Sequence, residues 1–358
     1  YYEHLYRVNL DGSGLKLITP GDYFHLVSMD KSMRYIVDNY SRVNTIPATA
    51  LYDNQGNRLM TLEESDFSQL FMAGYKFPEP FSVKAADGVT DLYGVMYKPF
   101  DFDSTKHYPI ISSVYPGPFY EYVPTQFDFI HGRNTQLAQL GFIVIAVGHR
   151  GGSPMRGKYY HTYGFGNLRD YPLADDKYAI EQLADRYPYI DATHVGIFGH
   201  SGGGFMATAA ICTYPDFYKA AVSAAGNHDN YIYNKWFTET HNGATEEKKV
   251  VKDSVNGDRT EYTYKFRVNT NINLAKNYKK GLLLVTGDMD DNVHPAHTYR
   301  MIDALIKAGK NFDMLVLPGQ DHGFSGAAEL FFERKLWAHF AKYLLGDSSA
   351  DYKSSIEN

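Results

Sequence analysis

A chain of 358 residues with 44% hydrophobic and 21% charged residues has ordinary globular composition, long enough for one large domain and a smaller piece. A net charge of −6 without a basic stripe argues against nucleic acid, and no apolar run approaches the ~18 residues of a membrane span. The single Cys212 excludes an intrachain disulfide and a cysteine-rich metal site.

Residues 1 to about 75 read as β structure. His4 to Leu10 alternates, Asp11-Gly12-Ser13-Gly14 turns, and Leu15-Lys16-Leu17-Ile18 returns. Arg34 to Asp38 is a further strand. Ala50-Leu51-Tyr52-Asp53 and Arg58 to Leu62 flank the hairpin signal Asn54-Gln55-Gly56-Asn57. Such spaced antiparallel strands suit a blade of a β-propeller, with an irregular β extension of the main domain as the alternative. One blade cannot bury its own faces, so its partners are expected before Tyr1. The chain also opens without Met, in a strand; we read it as a piece of a longer protein whose targeting segment lies elsewhere.

From residue 76 to 346 the pattern is α/β. Phe81–Lys84 and Leu92–Tyr97 read as a starting hairpin. Continuous apolar strands then follow at Pro109–Tyr115, Phe142–Val147, Val195–Phe198, Ala220–Ala224, Leu282–Val285 and Met314–Leu317. Helices are expected at Asn134–Leu140, Leu173–Arg186, Phe205–Thr213, Pro295–Ala308 and Ala327–Leu345. Strands without alternation mean a sheet buried on both faces, hence a mostly parallel, doubly wound sheet. The stretch from Gly226 to Lys280 interrupts the rhythm. Its charged centre, Glu246 to Lys252, reads as a solvated loop or hairpin. A polar tail is expected at 347–358.

Gly199-His200-Ser201-Gly202-Gly203 fits G-x-S-x-G. The pattern alone is weak; its context is specific. A strand leads in and a helix leads out, so Ser201 sits on a sharp strand-to-helix turn whose flanking glycines let both elements approach. The helix N-terminus favours an alkoxide and an oxyanion there. A phosphate-binding turn would need a Lys-Ser/Thr ending or G-x-G-x-x-G, and neither is present at this turn.

A nucleophilic serine needs a base and an orienting acid, which the α/β-hydrolase fold supplies in the order Ser, Asp, His. Two late strands end in candidates: Asp288, Asp290 and Asp291 follow the first, and Asp321-His322-Gly323 follows the second. Both loops lie past strand C-termini, where open α/β sheets hold their sites. His322 is preferred as base. His200 is the variable position of the turn. His294 and His297, at i, i+3, read as a surface pair at a helix start, with a metal pair as the alternative. His228 lies on a loop, open to substrate contact or to none. Spacing does not separate the three aspartates.

Together these motifs resemble the prolyl oligopeptidase family of serine peptidases, and within it the dipeptidyl-peptidase IV group. The resemblance rests on Tyr115-Pro116-Gly117-Pro118, Arg150-Gly151-Gly152-Ser153, the Ser201 turn, Asp290-Asp291-Asn292-Val293-His294 and Asp321-His322-Gly323, over roughly residues 1–345. It implies an α/β-hydrolase domain preceded by the end of a truncated β-propeller in residues 1–75. It selects Asp290 as the acid and names Tyr115 and the Gly202 N–H as oxyanion donors. It assigns Asn292 to the substrate backbone, and Val293, Tyr231, Tyr233, Trp236 and Phe237 to a pocket for a Pro or Ala side chain. It further implies peptide substrates, no metal or organic cofactor, a homodimer and an exported protein. The group carries Tyr after the nucleophile where this chain has Gly202, which opens the pocket. A carboxylesterase and a catalytically silent binding module are the rival readings.

Overall fold

The structure is a computed structural model that describes residues 2–127, 132–266 and 268–349. It divides into two compact units, one comprising 1–81, 93–103 and 123–144, the other 82–92, 104–122 and 145–358.

The first unit carries a four-stranded antiparallel meander: β1 (Phe24–Met29), β2 (Tyr35–Ser41), β3 (Ala48–Asp53) and β4 (Arg58–Glu64). Alternation in β3 buries Ala48, Ala50 and Tyr52, and Ile18 and Ile36 join Ala50 and Tyr52 in a small core. β4 is exposed along its whole length, as an edge strand is. The strand expected over His4–Leu10 contracts to Tyr6–Arg7, paired with Lys16–Leu17. Asn9 ends it by closing the turn, its amide nitrogen on the Ser13 carbonyl at 2.9 Å. β1 carries no strand signal in the sequence, because its polar and apolar residues do not alternate cleanly.

Eight further strands form one sheet. They are β5 (Glu79–Lys84), β6 (Asp91–Tyr97), β7 (Tyr108–Ser113), β8 (Ile143–Val147), β9 (Ile190–His200), β10 (Tyr218–Ala224), β11 (Leu282–Gly287) and β12 (Asp313–Leu317). Their order is β12-β11-β10-β9-β7-β8-β6-β5. β9 runs parallel to β7 and β10, with Phe198 opposite Ser113 on one side and Val222 on the other. β10, β11 and β12 continue in parallel. β7, β8 and β11 are buried at every residue, which is why they read as unbroken apolar runs. With helices between successive strands from β7 to β12, this is the α/β-hydrolase architecture.

The helices of eight or more residues are α1 (Gly132–Gln139), α2 (Leu173–Arg186), α3 (Gly202–Thr213), α4 (Lys235–Asn242), α5 (Ala296–Lys307) and α6 (Gly326–Phe340). α3 starts three residues before the predicted Phe205, because Gly202 to Gly204 are helical despite their weak propensity. α4 lies within the interrupted stretch, where no helix is expected; the Asn234 side chain caps it by accepting the Trp236 N–H at 2.9 Å. The charged stretch is a hairpin, Ala244–Val251 against Arg259–Phe266. The predicted helix to Leu345 ends its regular turns at Phe340 and closes in one wider turn over Ala341–Leu345. The tail lies outside the described residues from 350 onward. Among the described residues, no helix is long and apolar enough to cross a membrane.

Candidate active site

Ser201 sits between β9 and α3 with φ 57° and ψ −121°, a conformation a side-chain-bearing residue adopts only under strain. Its N–H donates to the Ala224 carbonyl at 2.8 Å, and its carbonyl accepts the Phe205 N–H at 3.0 Å. Two neighbouring glycines are obligatory. A Cβ on Gly199 would lie 2.4 Å from the Val114 carbonyl oxygen, and one on Gly203 only 2.0 Å from the same atom. Gly204 is a third such position that the motif did not mark; its Cβ would meet the Ala224 carbonyl at 2.5 Å. The close approach of β7, β10 and α3 thus points the Ser201 hydroxyl out at the strands' C-terminal edge.

His322 lies after β12 and Asp290 after β11. His322 Nε2 is 3.0 Å from Ser201 Oγ, and His322 Nδ1 is 2.8 Å from Asp290 Oδ2. The Asp290 carboxylate is fully buried, and its other oxygen accepts the N–H groups of Asn292 and Val293 at 3.0 and 2.8 Å. A carboxylate facing Nδ1 keeps the proton on that nitrogen and leaves Nε2 as acceptor for the serine O–H. The two loops are tied together: Met289 N–H donates to the Gln320 carbonyl at 3.0 Å, and Asp288 Oδ1 accepts the Gly319 N–H at 2.6 Å. Asp288 therefore staples the loops, while Asp291 is exposed. Gly287 makes the approach possible, because a Cβ there would sit 2.3 Å from the Gln320 carbonyl oxygen. No motif flagged it.

Tyr115 follows β7, its ring 5.9 Å from that of Tyr120 and 6.2 Å from that of Tyr122. Gly202 is the first residue of α3, where an amide N–H has no acceptor within the helix. Tyr233 is half-buried. Its hydroxyl donates to Asn292 Oδ1 at 3.3 Å, and its ring meets Phe237 edge-on at 5.3 Å. Burial raises the Tyr233 pKa, with Tyr115 and Asp290 adding to the rise. Val293 is buried. Tyr233, Phe237, Asn292 and Val293 thus gather beside the acid loop. Tyr231 and Trp236 remain exposed, and Trp236 turns toward His241 at 6.2 Å.

One histidine expectation is corrected, and an open one is decided. His297 is buried, not part of a surface pair: its Nδ1 accepts the Asp229 N–H at 3.3 Å and its ring faces Tyr233 at 5.7 Å. Burial depresses its pKa to about 4. His228 is fully buried against Asn271, whose side-chain nitrogen lies 3.1 Å from Nδ1, so it is closed to substrate. The Arg150-Gly151-Gly152-Ser153 motif proves to be a clamp. The Arg150 guanidinium grips buried Asp175 through Nε at 3.0 Å and Nη2 at 2.7 Å. Among the described residues, no cluster of His, Cys, Asp or Glu suited to a metal ion occurs.

The chain is similar to known proteins over most of its length. It is 28% identical over 328 residues to dipeptidyl peptidase 8 of Homo sapiens, covering 89% of this chain and 35% of that protein. It is 30% identical over 349 residues to a probable dipeptidyl-aminopeptidase B of Aspergillus niger, covering 92% and 36%. It therefore spans about a third of the length of these relatives. The crystal structure of a putative dipeptidyl aminopeptidase IV from Bacteroides ovatus superposes with a TM-score of 0.79 at 26% identity, covering 95% of this chain and 46% of that one. That of Porphyromonas gingivalis dipeptidyl peptidase 4 gives 0.80 at 24% identity and 46% of its length, a likeness of fold. The prolyl oligopeptidase family matches residues 128–347, more than half of the chain, and the chain belongs to that family.

Proposed function

We propose that this chain is the catalytic part of a serine peptidase of the dipeptidyl-peptidase kind, acting on short peptides. The observation that carries the reading is the continuous relay Ser201–His322–Asp290, with contacts of 3.0 and 2.8 Å. Ser201 Oγ attacks the scissile carbonyl while His322 Nε2 takes its proton. Asp290 holds the imidazole in the required tautomer and offsets the charge it gains. The Tyr115 hydroxyl and the Gly202 N–H hold the oxyanion. His322 then protonates the leaving amine, and water, activated by the same imidazole, releases the acyl group.

The side chain before the scissile bond packs among Tyr233, Phe237 and Val293, and Asn292 meets the substrate backbone. Gly202 adds no wall to that pocket, so side chains larger than Pro and Ala are accepted. Tyr231 and Trp236, being exposed, reach only the outer part of a substrate. Release of dipeptides draws on the similarity to dipeptidyl peptidases, as does a homodimer, which the mass in solution tests. The deciding experiment treats the full-length protein and its Ser201→Ala variant with a fluorophosphonate probe. Labelling should vanish in the variant, and labelling that persists refutes the nucleophile. Wild-type turnover of a dipeptidyl p-nitroanilide separates the peptidase from an esterase that turns over only short acyl esters.

A further inference from the structure

Tyr115 is followed by a short antiparallel pair, Pro116–Gly117 with Tyr120–Glu121, in which Pro116 lies opposite Glu121. Side chains alternate along a strand. Tyr120 and Tyr122 accordingly flank the Tyr115 ring on one side, while Glu121 turns to the other. There its carboxylate accepts the Tyr160 hydroxyl proton and lies 3.6 Å from Arg156 Nη1. The Arg156 guanidinium covers the Tyr160 ring at 3.9 Å, and its Nη2 donates to the Asp91 carbonyl at 2.5 Å. The backbone after β8 is cut back to admit this side chain. A Cβ on Gly148 would stand 2.0 Å from Glu121 Oε1, and one on Gly152 would stand 3.2 Å from Glu121 Cβ.

A carboxyl group desolvated this far raises its own pKa, and here burial does so against the pull of Tyr160 and Arg156. Such a group is costly to bury unless it is held on several sides. The proposed reaction gives Glu121 no step, yet it occupies a strand position that joins the Tyr115 flank to the Tyr160–Arg156 network. An oxyanion donor is effective only when its direction is set before the charge develops.

We propose that Glu121 is a positioning residue: clamped by Tyr160 and Arg156, it holds the short strand pair that aims the Tyr115 hydroxyl at the oxyanion. The inference rests on the reading of Tyr115 as an oxyanion donor. Its test measures kcat and KM of the full-length enzyme on a dipeptidyl p-nitroanilide for Tyr115→Phe, Glu121→Ala, Glu121→Gln, Tyr160→Phe and the double variant Tyr115→Phe/Tyr160→Phe. Loss of the donor itself should lower kcat about 10²-fold. Glu121→Ala and Tyr160→Phe should each lower kcat about tenfold or more with KM within about twofold, since only the transition state loses a contact. Glu121→Gln, which keeps an acceptor for Tyr160, should recover most of the loss. The double variant should be no slower than Tyr115→Phe alone, because a missing donor cannot be misaimed further. Losses that multiply, fall on KM alone or are absent from both Glu121→Ala and Tyr160→Phe overturn the inference. Undiminished kcat in Tyr115→Phe removes instead the donor reading beneath it, a result the single variant reports by itself. Should Glu121→Ala not fold, Tyr160→Phe, which deletes one oxygen, decides the matter.

Discussion

Replacing Asp290 with Asn keeps the shape of the acid and removes its charge, and the geometry says which way the amide must turn. One carboxylate oxygen accepts two backbone N–H groups, from Asn292 and Val293 at 3.0 and 2.8 Å, and the other faces His322 Nδ1 at 2.8 Å. An amide turned with its NH2 toward those N–H groups sets donor against donor at two buried contacts, at about 1–3 kcal/mol each. The reverse orientation keeps them and presents the NH2 to His322. Nδ1 must then accept, so the imidazole proton moves to Nε2, the atom 3.0 Å from Ser201 Oγ. A ring protonated there cannot receive the serine proton. The expected result is a fall in kcat of about 10⁴-fold with KM little changed, a barrier about 5 kcal/mol higher. The melting temperature should stay within a few degrees, because both backbone contacts survive. Turnover of a dipeptidyl p-nitroanilide by the full-length protein measures it. Asp288→Asn and Asp291→Asn serve as controls and should remain within tenfold of wild type. An Asp290→Asn enzyme within tenfold of wild type, or a control as slow as Asp290→Asn, refutes the assignment of the acid.

The same loops give a steric prediction: Gly287→Ala places a methyl 2.3 Å from the Gln320 carbonyl oxygen and must part the loops bearing Asp290 and His322. Its kcat should fall at least tenfold while fluorophosphonate labelling slows in proportion, and unchanged labelling would count against it. A second concerns pH. Burial, with His297 beside it, pushes the pKa of His228 down to about 3, below the ~6.5 of an unfolded histidine. The unfolded chain therefore takes up this proton first as pH falls. The stability His228 contributes is complete above about 6.5 and is lost progressively toward about 3. Urea unfolding at pH 7.5 and 4.5 should show a smaller acid loss in His228→Gln than in wild type, and equal losses would show that His228 does not titrate as described.

Much of this protein was legible in its sequence because the information was local. Unbroken apolar runs at β7, β8 and β11 announce a sheet buried on both faces. Gly199-His200-Ser201-Gly202-Gly203 between a strand and a helix announces a strained turn, since glycines there answer clashes with the backbone immediately around them. The candidate base, His322, follows from its place after a late strand. What remained open depends on contacts that local pattern does not encode. Asp288, Asp290 and Asp291 have the same chemistry within four positions; spacing does not rank them, the family resemblance selects Asp290, and the direction of each carboxylate is what distinguishes a loop staple from a partner of His322. His228 and His297 have ordinary surface-compatible neighbours in sequence, and tertiary packing buries both. Gly287 looks like any strand-end glycine until the Gln320 carbonyl arrives against it. The Ser201–His322 contact spans 121 positions of chain. The order in which parallel strands take their places in the sheet sets that approach, and strand order is a property of the packed whole.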